Sequence, residues 1–172
     1  ELPSSVQPGG RILLDDGKGN VLDNIMMLDI LECLQRLKEY SNIKLITIQG
    51  AGKHFSFGAS VEEHTKELAE TMLRTFHKIF LEIMQLGIPT IAKISGQCLG
   101  GGMELALICS VMMADKSAKL GQPEILLGVF PPIASILLPE KIGLARAEEL
   151  LLTGRSINAE EALRIGLLHA AY

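Results

Sequence analysis

Two loops of the sequence combine small residues with the predicted start of a helix. They occupy residues 55–60 (FSFGAS) and 94–104 (ISGQCLGGGME). The first N–H groups of a helix have no internal acceptor and lie at the positive end of the helix dipole. Glycine and alanine let a ligand approach this backbone closely. Both loops could therefore donate hydrogen bonds to a negative charge that develops in a reaction, although tight packing of a turn explains one such loop equally well.

Two glutamates are candidates for proton transfer. Glu104 follows the glycine triplet 100–102 by two positions, and Glu124 lies in the otherwise apolar segment 121–127 (GQPEILL). Apolar surroundings raise the proton affinity of a carboxyl group, which makes it useful as an acid or base near neutral pH. The alternatives are a helix-dipole partner at Glu104 and a solvated turn residue at Glu124.

Other kinds of site have little support in the sequence. Residues 50–53 (GAGK) lack the spacing of a Walker loop, and no G-x-G-x-x-G dinucleotide motif occurs. The chain contains no G-x-S-x-G motif, which would indicate a serine hydrolase. No metal-binding spacing links the four histidines, which are His54, His64, His77 and His169. The three cysteines form no C-x-x-C pair, so we expect no zinc ribbon or disulfide framework and a reducing, cytoplasmic location.

The size and charge of the chain exclude several classes of protein. Its 172 residues suit one domain, so we expect a single catalytic core over residues 1–172. A net charge of −4 without a basic run argues against a nucleic-acid partner. No apolar stretch reaches the roughly 18 residues that span a bilayer, so we expect no membrane partner.

The apolar pattern predicts an α/β fold with a largely parallel sheet, because short aliphatic runs alternate with amphipathic helical stretches. Strands are predicted at 11–15, 43–49, 90–95, 111–114 and 118–121. Asp23 is predicted to cap the first helix, and Ser60 with Glu63 to form a capping box for the second, which extends to Gly87. Further helices are predicted at 103–109, 133–142, 145–153 and 159–165, the last capped by Asn158 with Glu161.

Three segments in order resemble the enoyl-CoA hydratase/isomerase (crotonase) superfamily. They are residues 55–59 (FSFGA), 94–106 (ISGQCLGGGMELA) and 118–128 (AKLGQPEILLG), and the similarity extends from about Arg11 to the end of the chain. The resemblance implies a crotonase-like spiral core of repeated ββα units, assembled as a homotrimer or a dimer of trimers. Members of this family continue beyond the segment that resembles residues 166–170, so it also implies that a C-terminal helical part is missing here.

The resemblance also assigns roles to individual residues. The backbone N–H groups of Ala59 and Gly101 would form an oxyanion hole for an acyl-CoA thioester, and Glu104 and Glu124 match the two catalytic glutamates of the hydratases. The presence of both carboxylates favours hydration over isomerisation. No metal or cofactor is implied, since coenzyme A is part of the substrate. The expected contacts to coenzyme A and substrate are Lys18, Gly19, Ser56, Phe57, Gly58 and Gly100.

The substrate is indicated by departures from the straight-chain hydratases, which usually carry Asp where this chain has Ser60. Residues 15–23 (DDGKGNVLD), 59–64 (ASVEEH) and 128–132 (GVFPP) resemble the cyclohexa-1,5-diene-1-carbonyl-CoA hydratases. The alternatives on the same fold are an isomerase, a CoA-ester hydrolase and a non-catalytic acyl-CoA-binding protein. The glycine-rich loops alone leave a nucleotide-binding regulatory domain open.

Overall fold

The structure is a computed structural model that describes residues 9–63 and 69–172. These residues form an α/β fold. The strands are β1 (Gly9–Leu14), β2 (Leu45–Gly50), β3 (Thr90–Ile94), β4 (Gln97–Leu99), β5 (Val111–Ala114), β6 (Lys119–Gly121), β7 (Ser156–Asn158) and β8 (Ala170–Ala171). The α-helices are α1 (Asn24–Lys38), α2 (Ala69–Leu86), α3 (Gly101–Leu107), α4 (Ala134–Ile142), α5 (Leu144–Thr153) and α6 (Ala159–Arg164), and 3-10 helices lie at Val61–Glu63 and Pro123–Leu127.

A parallel sheet with the strand order β1-β2-β3-β5-β8 forms the centre of the fold. Its strands bury apolar side chains such as Ile46 and Ile48 on β2. Helices α1 and α2 pack against each other, and each buries one apolar face. Burial of apolar surface contributes a free energy of about 25 cal/mol per Å² removed from water, and this contribution holds the helices in place. The apolar residues of α2 that it buries are Met72, Phe76, Ile79, Phe80 and Ile83.

A second, three-stranded sheet has the order β4-β6-β7. The chain passes from β3 in the large sheet to β4 in the small one and continues into α3. It then passes in the same way from β5 to β6. This alternation of two strands with a helix confirms the predicted α/β class with a parallel central sheet. The sequence missed β4, β7 and β8, which have only two or three residues each.

The helix starts confirm two of the three capping predictions. The side chain of Asp23 accepts a hydrogen bond of 2.8 Å from the Met26 N–H, and that of Asn158 accepts one of 2.8 Å from the Glu161 N–H. At Ser60 the described residues that follow form a 3-10 helix, and the predicted capping box stays a prediction. Residues 64–68 lie outside the described part of the chain, and α2 is described from Ala69 onward.

The loops that follow β1, β2 and β3 lie at the same edge of the sheet, since parallel strands place their carboxyl ends together. Ligands of open parallel sheets bind at this edge. Both small-residue loops of the sequence therefore lie on the side of the sheet where a binding site is expected. None of the helices in the described ranges is long and apolar enough to span a membrane.

Candidate active site

The two small-residue loops lie directly against each other. The Ser56 N–H donates to the Gln97 carbonyl at 3.0 Å, and the Leu99 N–H donates back to the Ser56 carbonyl at 3.0 Å. These two bonds join the first loop to strand β4. Strand β4 leads into α3 at Gly101, so the first loop lies beside the N-terminus of that helix.

Glycines allow this close approach. A Cβ atom at Gly102 would lie 2.6 Å from the Cβ of Ser56, and one at Gly58 would lie 2.8 Å from the Leu99 carbonyl oxygen. Both distances are too short for nonbonded atoms. Gly58 also has a φ of +99°, a conformation that residues with a side chain rarely adopt. The sequence therefore needs glycine on both sides of this contact.

The Ala59 and Gly101 N–H groups come close together at this contact. A Cβ atom at Gly101 would lie 3.2 Å from the Ala59 nitrogen, and one at Gly58 would lie 3.3 Å from the Gly101 nitrogen. Gly101 is the first residue of α3, where an N–H has no acceptor within the helix. The structure thus brings the two predicted donors into one place.

A cavity of about 410 Å³ opens beside these two N–H groups. Glu124 supplies a carboxylate to its wall, and Val61, Leu127 and Val129 contribute apolar side chains. A concave, mostly apolar site with a few polar groups is typical of small-molecule binding. The predicted site residues that line it are Phe57, Gly58, Ala59, Gly100, Gly101 and Glu124.

A second cavity of similar size, about 420 Å³, lies at the opposite edge of the sheet between the ends of α1 and α2 and the starts of β2 and β3. It contains none of the predicted site residues. Of these two cavities, only the one at the carboxyl edge is lined by predicted site residues.

Glu104 lies behind the cavity wall, with only 3% of its surface exposed. Its Oε1 accepts hydrogen bonds from the Ile133 N–H at 2.8 Å and the Ala134 N–H at 2.9 Å. The carboxyl group thus caps helix α4, whose own N-cap residue has no side-chain hydrogen bond. Burial is the main cause of a Glu104 pKa of about 7. The charge of Glu124 also raises this pKa, whereas the hydrogen bonds from Ala134 and Ile133 lower it.

Glu124 lies beside the second loop. A Cβ atom at Gly100 would come within 2.8 Å of its Oε1, so glycine leaves room for the carboxylate. The buried Gln122 amide, with its nitrogen turned toward Glu124, donates to both carboxylate oxygens at 3.0 and 3.1 Å. Gln122 was not predicted from the sequence, although it lies two residues before the candidate glutamate.

The other predicted contacts to coenzyme A do not share this cavity. Ser56 is fully buried, and its hydroxyl donates to the Asn20 carbonyl at 2.6 Å and accepts from the Gly58 N–H at 3.0 Å. Its backbone N–H and carbonyl are also engaged, so Ser56 has a structural position rather than the expected ligand contact. Gly19 is buried beneath the Phe57 ring, where a Cβ atom would lie 2.5 Å from Cδ2.

Lys18 lines a separate cavity of about 260 Å³ together with Lys53 and His54. The His54 ring contacts the Phe57 ring edge-on, with a centroid distance of 4.9 Å, so this cavity borders the site at Phe57. Within residues 9–63 and 69–172 no cluster of His, Cys, Asp or Glu side chains could hold a metal ion.

Comparison with known proteins identifies the family of the chain. The enoyl-CoA hydratase/isomerase family matches residues 10–172. The chain is 41% identical over 158 residues to the cyclohexa-1,5-dienecarbonyl-CoA hydratase of Thauera aromatica, covering 92% of this chain and 61% of that protein. A probable enoyl-CoA hydratase of Bacillus subtilis is 35% identical over 154 residues, covering 87% of this chain and 60% of that protein.

A crystal structure of an enoyl-CoA hydratase from Bacillus anthracis superposes with a TM-score of 0.90. It is 33% identical in sequence, and the match covers 94% of this chain and 65% of that one. The chain therefore belongs to the enoyl-CoA hydratase/isomerase family and shares the crotonase-like fold. It spans about 60% of the length of the two curated relatives.

The raised pKa of Glu104 predicts a pH-dependent effect of Glu104→Gln on stability. A carboxyl group whose pKa rises on folding, from 4.5 to about 7, stabilises the fold below pH 4.5, and this contribution is lost as the pH rises through 7. The neutral amide of the variant can still accept the two hydrogen bonds from α4. We therefore expect the free energy of unfolding of the variant, relative to that of the native protein, to increase by about 2–3 kcal/mol as the pH rises from 4.5 to 8.5.

Urea denaturation at both pH values measures this gain in the free energy of unfolding. Glu140→Gln is the matched control, because Glu140 is an exposed carboxylate on α4 and its substitution should leave the pH dependence unchanged. An equal difference between Glu104→Gln and the native protein at both pH values would contradict the assignment of a buried, proton-binding Glu104.

Proposed function

We propose that the protein adds water to the carbon–carbon double bond of an enoyl-CoA or dienoyl-CoA thioester, as a hydro-lyase. One observation carries this proposal: the Glu124 carboxylate and the Ala59 and Gly101 N–H groups border the same apolar cavity. Electrophilic backbone donors and an adjacent carboxylate are the two elements that conjugate addition of water requires. No cofactor is needed, because coenzyme A is part of the substrate.

In the proposed mechanism, the thioester oxygen accepts hydrogen bonds from the Ala59 and Gly101 N–H groups. A water molecule attacks the β-carbon, and the electron pair of the double bond moves toward the carbonyl to give an enolate. The negative charge on the enolate oxygen is stabilised by the two donors, and loss of one donor from an oxyanion hole typically costs about 2.7–4 kcal/mol. The hydrogen bonds thus strengthen as the reaction proceeds.

The two glutamates balance the protons. The ionised carboxylate accepts a proton from the attacking water, and the protonated carboxyl group delivers its proton to the α-carbon. The pair of glutamates therefore carries one proton before and after the reaction. At the end of the reaction this proton is on the glutamate that was ionised at the start. A Glu104 pKa of about 7, raised by burial and by the charge of Glu124, supports this shared-proton state near neutral pH.

Substitution of either glutamate tests this mechanism. Glu104→Gln and Glu124→Gln each remove one of the two proton-transfer groups but keep side-chain size, so we expect kcat to fall at least about 100-fold while binding of the CoA ester is largely retained. Steady-state kinetics and calorimetric titration with the same ester give the two quantities. Glu140→Gln should leave both unchanged, and full activity in either active-site variant would refute the assigned mechanism.

The acyl group is proposed to be cyclohexa-1,5-diene-1-carbonyl. Support comes from the 41% identity to the Thauera aromatica protein and from the apolar wall of the cavity formed by Val61, Leu127 and Val129. This assignment predicts a higher kcat/KM with the cyclic dienoyl-CoA than with crotonyl-CoA in a side-by-side assay. The reverse order would exclude the cyclic substrate but leave hydration intact.

Mass spectrometry of the products separates hydration from the alternatives. Hydration adds one water, isomerisation leaves the mass unchanged, and hydrolysis releases free coenzyme A. Binding of the ester without any product would indicate a non-catalytic acyl-CoA-binding protein. Thermal stabilisation by ATP or NAD alone would indicate a nucleotide-binding domain and would contradict the whole proposal.

The protein is further proposed to be a cytoplasmic homotrimer or dimer of trimers. The segment after Glu124 exposes large apolar side chains, with Leu126 71% and Phe130 70% exposed, and such a patch is expected to be covered. Light scattering coupled to size-exclusion chromatography should give a mass of three or six chains. A monodisperse monomer with full activity would contradict this assembly.

A further inference from the structure

Asn20 has an unusual position in the loop between β1 and α1. Only 2% of its surface is exposed, and its φ is +54°. Among the described residues it is the one non-glycine residue with a positive φ. Asparagine tolerates this conformation better than most residues, but the strain indicates that the side chain has a task that glycine could not perform.

The side-chain amide of Asn20 binds the segment that leads into the first small-residue loop. Its Nδ2 lies 3.1 Å from the Ala51 carbonyl oxygen, 2.8 Å from that of His54 and 3.2 Å from that of Phe55. A Cβ atom at Gly50 would lie 2.6 Å from the same nitrogen, so glycine leaves space for it. One buried amide thus holds three backbone carbonyls that precede the proposed oxyanion hole.

The backbone around Asn20 binds the rest of the same loop. Its carbonyl accepts the Ser56 hydroxyl at 2.6 Å, and that hydroxyl accepts the Gly58 N–H at 3.0 Å. On either side, the Phe57 N–H donates to the Gly19 carbonyl and the Leu22 N–H donates to the Gly58 carbonyl, both at 2.9 Å. Hydrogen bonds therefore fix every residue from 55 to 58, immediately before Ala59.

The conformation of Asn20 is itself fixed by Asp16. The Asp16 Oδ1 accepts the N–H groups of Lys18 and Asn20 at 2.8 and 2.7 Å, and its Oδ2 accepts that of Val21 at 2.8 Å. This carboxylate closes the loop and holds the backbone of Asn20 in place. The network runs from Asp16 through Asn20 and Ser56 to Gly58.

We propose that Asn20 is a positioning residue for catalysis, whose side-chain amide sets the geometry of residues 55–58 and thereby the direction of the Ala59 N–H. The proposal rests on the function proposed above. Asparagine has two separate properties here, its tolerance of a positive φ and its amide donor. Glycine would supply the positive φ without the amide, and aspartate would fit the space but would place an acceptor against three carbonyl acceptors.

Two variants of Asn20 and two controls test this proposal in the whole protein. Asn20→Asp and Asn20→Gly both remove the amide donor. The controls use Asn158, which caps α6 through its side-chain oxygen. Asn158→Asp keeps that acceptor and should be neutral, whereas Asn158→Ala should lower the urea midpoint of unfolding without changing activity.

We expect both Asn20 variants to lower kcat about 100-fold with a change in KM below about threefold, because a misplaced donor weakens binding of the enolate more than that of the substrate. The infrared stretch of a bound, isotope-labelled thioester carbonyl reports the donors directly. It should move back toward its value in free substrate in both Asn20 variants and stay shifted in both Asn158 variants. Loss of stability alone would not move it.

The pH dependence separates the donor from the shape of the side chain. Protonation of the carboxyl group in Asn20→Asp restores one donor, so its kcat relative to the native protein should rise as the pH falls. Asn20→Gly should show no such recovery. Equal ratios at all pH values for both variants, or native kcat in either, would overturn the role of the amide.

Amide hydrogen exchange in the free protein distinguishes failure of this proposal from failure of the proposed function. Exchange at residues 56–59 should accelerate in both Asn20 variants while α6 keeps its native rate. If the native protein neither hydrates nor binds CoA esters, the proposed function fails and so does a catalytic role for Asn20. If it is active but exchange and kcat are unchanged in the variants, only the Asn20 proposal fails.

Discussion

The contact between the two small-residue loops is the constraint on which the rest of the site depends. Backbone lies against backbone there, and side chains at Gly58 or Gly102 would collide with Leu99 or Ser56. Only at this distance do the N–H groups of Ala59 and Gly101 come together. The parallel sheet makes the contact possible, since β2 and β3 end at the same edge and deliver both loops to it.

The same edge of the sheet also places a buried carboxyl group where water cannot solvate it. Glu104 is 3% exposed and receives two N–H groups from the start of α4 in place of water. These hydrogen bonds favour the ionised form, whereas burial and the charge of Glu124 favour the protonated form. Burial has the larger effect, and a pKa of about 7 results. Stability is thereby reduced at alkaline pH, where the buried carboxyl group is ionised.

Much of the fold is predictable from local pattern because its elements are long enough to show a period. Helices α4 and α6 and the caps at Asp23 and Asn158 lie where the sequence places them. Strand β4 was missed because its three residues lie in a glycine-rich segment and are defined by pairing with β6, 20 or more residues away. At Ser60 a 3-10 helix follows, which the capping-box pattern alone does not distinguish from an α-helical start.

The sequence by itself determined the α/β class and indicated the two small-residue loops and the two glutamates as candidates, because glycine runs and carboxylates in apolar segments are local signals. Only the tertiary structure decided that Glu104 caps α4 behind the cavity and that Ser56 is buried. It also revealed Asn20 as the residue that holds three carbonyls. These facts depend on burial and on hydrogen bonds between residues about 30 or more positions apart, which no local spacing encodes.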